Sequence, residues 1–231
     1  MEVVGLLAVL VVVMLWEAGS PQFAYPVSFF KTTLRNLTIG SFNYLLSLLT
    51  VAAGYAYVFS QPLDTSFFAQ RPAAPAWLVW LLSVVVLDLY IYLWHRFAMH
   101  GSKWGYRLHR LHHREKYMNS TTAFRFDPLE IILSQLPRIG LIWLLGIPAE
   151  AVALYYILFT SANILQHSNI RVHQHLDMLV SPLIITPNLH RLHHEAGRSR
   201  VVNFGTVFSI WDTLLGSREY RRRLTRINFG P

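Results

Sequence analysis

The histidines of this chain are confined to clusters, and clustered histidine is a metal-binding signal. His95 and His100 close an apolar segment, and His109, His112 and His113 follow in the run LHRLHH at 108–113. The same six letters recur at 189–194, carrying His190, His193 and His194. His167, His173 and His175 complete the eleven histidines of the chain. On a helix, residues three or four apart share a face, so His109 can approach an ion together with His112 or His113. The adjacent His112 and His113 diverge by about 100°, which suits two ions side by side. The same holds for His190, His193 and His194. His95 and His100, five apart, also diverge on an α-helix and could feed two metals.

Eight histidines in three boxes, with His167, supply enough nitrogen to hold two metals with open positions. Neutral imidazole suits zinc, copper, iron and nickel. With no cysteine in the chain, thiolate sites, disulfides and cysteine nucleophiles are excluded, and any metal is held by nitrogen and oxygen. An arginine-flanked histidine at a membrane face can be plain basic surface, but three boxes, two of them identical, argue against that. No HExxH zinc hydrolase signature is present. A bis-histidine haem would draw its ligands from facing membrane helices, not from HxxHH clusters.

The elements that must position these side chains are apolar. Fifty-three per cent of the 231 residues are hydrophobic and only 14% are charged, well below the quarter usual in soluble domains. The apolar residues come in long runs, which points to a bilayer. The formal net charge of +8 resembles a nucleic-acid signal until its distribution is read: lysine and arginine flank the apolar runs and the histidines, as the positive-inside bias expects. No nucleic-acid partner is expected.

The run Val3–Trp16 is short for a span and lacks the basic start of a signal peptide, since Glu2 stands there; an uncleaved short or re-entrant helix is expected. Lys31 and Arg35 form a basic connection, a span runs from about Ile39 to Phe59, a polar turn (61–75) follows, and a third span starts near Ala76 and continues as a helix past Trp94 to His95 and His100. The turn holds only Arg71 as a basic residue, so it is placed outside, and the histidines on the cytoplasmic face. The block 129–166, broken at Gly146-Ile147-Pro148, reads as a helical hairpin returning to the same side, with Pro137 and Arg138 interrupting its first arm. The expected fold is an all-α integral membrane protein of about four spans with a cytoplasmic histidine-rich metal-binding cap.

The pattern HRFAMH, HRLHH, QHSN and TPNLHRLHH, with DLYIYLWHR near span three, NSTTAFRFDPLE at 119–130 and NFGTVFSIWDTLLGS at 203–217, resembles the fatty acid hydroxylase/sterol desaturase superfamily. The resemblance covers residues 35–217, between an N-terminal helix and connection (1–34) and a basic tail (218–231), as one domain. It implies two iron ions, non-haem, that activate O2 and attack an unactivated C–H bond of a lipid. The implied ligands are His95, His100, His109, His112, His113, His167, His190, His193 and His194. Where some relatives carry a further histidine this chain has Arg171, and His173 or His175 is a candidate substitute and extra ligand. Asp127 stands where many relatives have histidine and is a candidate for orienting a ligand, as are Asn169 and Asp88, an acid inside an apolar helix. Asp212 and Glu195 are weaker candidates.

The function implied is a membrane-bound lipid hydroxylase, with lipid desaturation as the alternative within the superfamily and a non-catalytic metal-binding or metal-transport membrane protein as the alternative outside it. Zinc could replace iron in purified protein. No haem or flavin domain fits the length, so a separate electron donor, a ferredoxin or a cytochrome/reductase, is expected. The tail Arg218–Arg226 could recruit it or anionic lipid. The expected location is a bacterial inner membrane.

Overall fold

A computed structural model describes residues 2–24, 29–70, 74–197, 201–222, 224 and 227–230. Arg71, on which the outer turn's charge reading rests, and Arg223 and Arg226 of the tail lie outside these. The described residues form ten α-helices: α1 (Glu2–Gly19), α2 (Phe29–Thr50), α3 (Ala52–Ser60), α4 (Ala76–Leu93), α5 (Lys103–His113), α6 (Pro128–Leu145), α7 (Ala149–His167), α8 (Gln174–Val180), α9 (Pro187–His193) and α10 (Ile210–Leu214). A π-helical turn, Trp94–Met99, continues α4, and a 3₁₀ turn spans Ser120–Phe124. Among the described residues there is no β-strand, only isolated bridges such as Ile184 with Phe208. The protein is all-α.

Among the described residues, three helical stretches are long and apolar enough to cross a membrane: Phe29–Ser60 (α2 and α3, broken at Val51), Ala76–Met99, and Pro128–Leu145. Their outward faces carry exposed Leu45, Leu49, Tyr57, Trp77, Leu81 and Leu144; in lipid these side chains stay in their preferred solvent. α7 is long enough to be the fourth span, but Asn163, Gln166 and His167 make its last turns polar. The hairpin from α6 to α7 turns at Gly146, whose φ of 67° is left-handed, a conformation glycine adopts without a Cβ penalty. Pro137 lies inside α6 without ending it.

The second span begins earlier than its hydropathy suggests. Lys31 and Arg35 lie within α2 instead of in a connection, because Arg35 reaches Glu115 at 2.7 Å and its charge is matched there. The short first helix packs inward, as Leu10 and Val13 join Ala123, Ile164 and Ile170 in a buried cluster. A second cluster, with Leu87, Ile142, Ala151 and Tyr155, ties α4 to the hairpin. Glu17, fully buried near the end of α1, accepts from Ser120 N and Oγ and from Asn169 N. It thereby joins α1, the 3₁₀ turn and the segment after α7.

Candidate metal centre

The π-helical turn decides where His95 and His100 point. In an α-helix a spacing of five separates two side chains, whereas i→i+5 hydrogen bonding widens the turn and brings i and i+5 back toward one face. His100 N donates to His95 O at 3.1 Å, and the two rings lie 5.0 Å apart. The expectation that they feed different metals is therefore corrected: both fall in one group, with His109, His113 and His193. The second group is His112, His167, His190 and His194. Within each group the potential ligand atoms lie within 4.8 Å of one another.

Helical spacing explains the division. His109 and His113, one turn apart, join the first group, and His190 and His194, likewise one turn apart, join the second. Each adjacent pair, His112–His113 and His193–His194, splits between groups. The groups abut, since His113 stacks on His194 at 4.3 Å between ring centroids.

Elements around the site fix several of the rings through the δ nitrogen. His95 Nδ1 donates to Phe204 O at 2.8 Å, His167 Nδ1 to Asn163 O at 2.7 Å, and His193 Nδ1 to Val202 O at 2.8 Å. His112 Nδ1 lies 3.3 Å from Arg125 O, and its ring stacks on Phe126 at 4.4 Å. Arg125 is itself held by Leu111 O and by the buried Glu115. Asp212 accepts from Phe204 N and Gly205 N and so steadies the backbone that orients His95. Arg191, between two histidines of the third box, is buried and donates to Ser168 O and Ile170 O, which ties α9 to the end of α7.

Where the δ nitrogen donates, as in His95, His109, His112 and His167, the ε nitrogen presents a lone pair. His112 and His167 place these atoms 3.0 Å apart, and His95 and His109 place theirs 3.2 Å apart. His190 Nε2 lies 2.9 Å from His167 Nε2. In the His112–His167 and His95–His109 contacts the opposed lone pairs repel unless a cation sits among them. An ion about 2.0–2.1 Å from each nitrogen would see neighbouring ligands at about 90–100°, an ordinary angle for a first-row divalent ion. Burial, reinforced by the neighbouring rings, holds the pKa of His100, His112, His113, His190, His193 and His194 well below the ordinary imidazole value. The neutral form, the one that ligates, is thus favoured. The donor set fits two metal ions.

The two groups differ in access. All four members of the second are buried, whereas His95, His100 and His113 of the first are only half-buried. A cavity of about 310 Å³ bounded by Arg96, Phe97, His100, Gly101, Val201, Phe204 and Ser217 opens beside His100. They also differ in electrostatics, because His109 Nδ1 donates to the carboxylate of the buried Glu130 at 2.7 Å.

Glu130 was not visible from sequence as a histidine partner, because Asp127 and Glu130 have the spacing of a helix N-terminal capping pair. Asp127 does cap α6, accepting from Leu129 N at 2.9 Å; no contact with a histidine is seen. Asp88 accepts from Tyr155, Val207 N, Phe208 N and Trp211, and Asn169 bonds Phe23 N and O. Neither reaches a histidine. His173 and His175 are exposed and lie outside both groups. Glu195 pairs with Arg221 at 2.9 Å.

The approach of α5 to the π-helical turn depends on Gly105, where a Cβ would meet Ala98 O at 1.9 Å. Gly105→Ala is expected to destabilise the protein by about 2 kcal/mol or more, read as a lower thermal midpoint with metal content falling alongside. An unchanged midpoint would show that α5 can draw back from Ala98 freely.

Comparison with known proteins agrees with this geometry. The sequence profile of the fatty acid hydroxylase family matches residues 80–217. The chain is 34% identical over 146 residues to the ornithine lipid hydroxylase OlsE of Rhizobium tropici, covering 59% of this chain and 40% of that protein. It is 28% identical over 169 residues to the alkylglycerol monooxygenase of Danio rerio, covering 71% of this chain and 35% of that protein. The alkylglycerol monooxygenase of Caenorhabditis elegans is 28% identical over 149 residues, 62% of this chain and 27% of that protein. The chain thus spans less than half the length of these curated relatives. No solved structure matches it. The family match takes in more than half of the chain and every histidine of both groups: the chain belongs to the fatty acid hydroxylase family.

Proposed function

We propose that this protein is a membrane-bound oxygenase that hydroxylates an unactivated C–H bond of a lipid. The observation that carries this is the pair of adjacent all-histidine groups with opposed ε nitrogens, in a family whose relatives are named as lipid hydroxylases. Two irons held there would supply the redox chemistry: one O2, two external electrons and two protons convert R–H to R–OH and water. His95, His100, His109, His113 and His193 would hold one ion, and His112, His167, His190 and His194 the other. Backbone carbonyls and Glu130 fix the rings. Burial of the second group keeps water off it, and the cavity beside His100 is where a lipid carbon could approach the first. The relatives' names favour a lipid with a polar headgroup.

Electrons would come from a separate ferredoxin or cytochrome/reductase, and the site would face the cytoplasm of a bacterial inner membrane. The deciding measurement is metal analysis and Mössbauer spectroscopy on protein from iron-supplemented cells. About two coupled irons per chain, one for each group, with spectra that respond to reductant and O2, are expected. Lipids extracted from expressing cells should then show a species with one added oxygen. Loss of two hydrogens instead would make the protein a desaturase. A single metal, or two redox-silent ones despite ample iron, would favour metal binding or transport.

A further inference from the structure

Two segments outside the membrane-crossing helices, 176–185 and 206–215, expose leucine without exposing charge. Leu176, Leu179, Leu183, Ile184, Leu214 and Leu215 are 44–75% exposed. The ionisable residues of the two segments are Asp177 and Asp212, both fully buried. By contrast, α5, also outside the spans, presents Lys103, Arg107 and Arg110. An apolar surface of this kind facing water would be an association hazard.

The segments are bonded to one another and to α4. Ile185 N donates to Val207 O, Ser209 N to Leu183 O and Ser209 Oγ to Ser181 O. Arg96 on the π-helical turn donates to Leu215 O at 2.9 Å, while Asp88, eight residues earlier, receives Val207 N, Phe208 N and Trp211 Nε1 at 3.2, 3.1 and 2.8 Å. The helix is thus a depth ruler: the anchors differ in height by about 12 Å at 1.5 Å per residue. About 20 residues cross the hydrocarbon, and counted from Ala76 they end near His95. With the outer boundary set at Ala76, where the apolar stretch begins, the upper anchor falls near the inner boundary and the lower one on the order of 10 Å inside it.

We propose that these two segments form a re-entrant shelf set into the bilayer, its leucines in contact with the acyl chains of the host membrane. Irregular backbone is tolerated at that depth only where its polar groups are satisfied by protein, and here Asp88 and the cross-segment hydrogen bonds supply the partners. This also accounts for an acid in the middle of an apolar helix, since without it two backbone N–H groups and an indole would be left unpaired in hydrocarbon.

The chain has no native cysteine, so single spin labels can be placed directly in the full-length protein in lipid vesicles. Leu183→Cys and Leu214→Cys, both at exposed positions, carry the test. Leu81→Cys on the outer face of α4 is the reference for lipid, and Lys116→Cys beyond α5 the reference for water. Relaxation by O2 relative to a water-soluble nickel chelate should place Leu183 and Leu214 with Leu81. A ratio nearer that of Lys116 at either position would overturn the proposal. The readout needs no metal and no turnover, so it stands apart from the oxygenase reading.

Discussion

Purified His112→Ala and His193→Ala proteins should each retain about one metal ion where the parent is expected to hold two, and should lose different ones. His193 belongs to the half-buried group and His112 to the buried group. Adjacent residues on each helix split between ions, so neither variant disturbs the other group's donor set directly. Loss of a partner that merely orients a ligand lowers affinity or activity about 10–100-fold, and loss of the ligand itself should lower turnover by more than about 100-fold. Both variants should still insert, because the apolar helices Phe29–Ser60, Ala76–Met99 and Pro128–Leu145 do not include either residue. Full metal content with normal turnover in either variant would remove the assignment of that group. If both lost the same ion, the division into groups would be wrong.

Glu130→Gln should weaken metal binding in one group only. Glu130 bonds a ring of the half-buried group, 2.7 Å from His109 Nδ1, while His95, His167 and His193 donate their Nδ1 hydrogens to neutral carbonyls. A carboxylate acceptor raises the basicity of the ligating nitrogen more than a carbonyl does. Replacing it with an amide removes that charge while keeping the shape. Affinity at the group containing His109 should fall about 10–100-fold, seen as faster release of one of two ions to a competing chelator. The other ion should leave at its former rate. Uniform release in the parent and the variant would show that Glu130 serves packing alone.

The histidine pattern carried much of the candidate site in readable form. The spacings within LHRLHH already split His112 from His113, since adjacent residues on a helix diverge, but they left open which of the two His109 joins. The hairpin turn at Gly146 was equally legible, since a glycine before Ile147-Pro148 between apolar runs has few other uses. The grouping of His95 with His100 was not, because hydrogen-bond register is not written in residue types and WHRFAM passes for ordinary α-helix. The partners of Asp88 were hidden for a different reason: three of its four donors come from residues more than a hundred positions later. Glu130 was masked by a local pattern that accounts for it without any histidine. In each case the missing information was a contact distant in sequence or a local register shift, not a missing residue type.

The widened turn at Trp94–Met99 also bears on how the first box tolerates change in length. On an α-helix two ligands of one ion sit four residues apart; here they sit five apart because the helix holds one residue more in that turn. A deletion of Ala98 that let the helix return to ordinary pitch would bring the two histidines back to a spacing of four, still on one face. Spacings of four and five are therefore alternative spellings of the same geometry, and a one-residue insertion or deletion in this box can be structurally silent at the metal while shifting the register of everything upstream along α4.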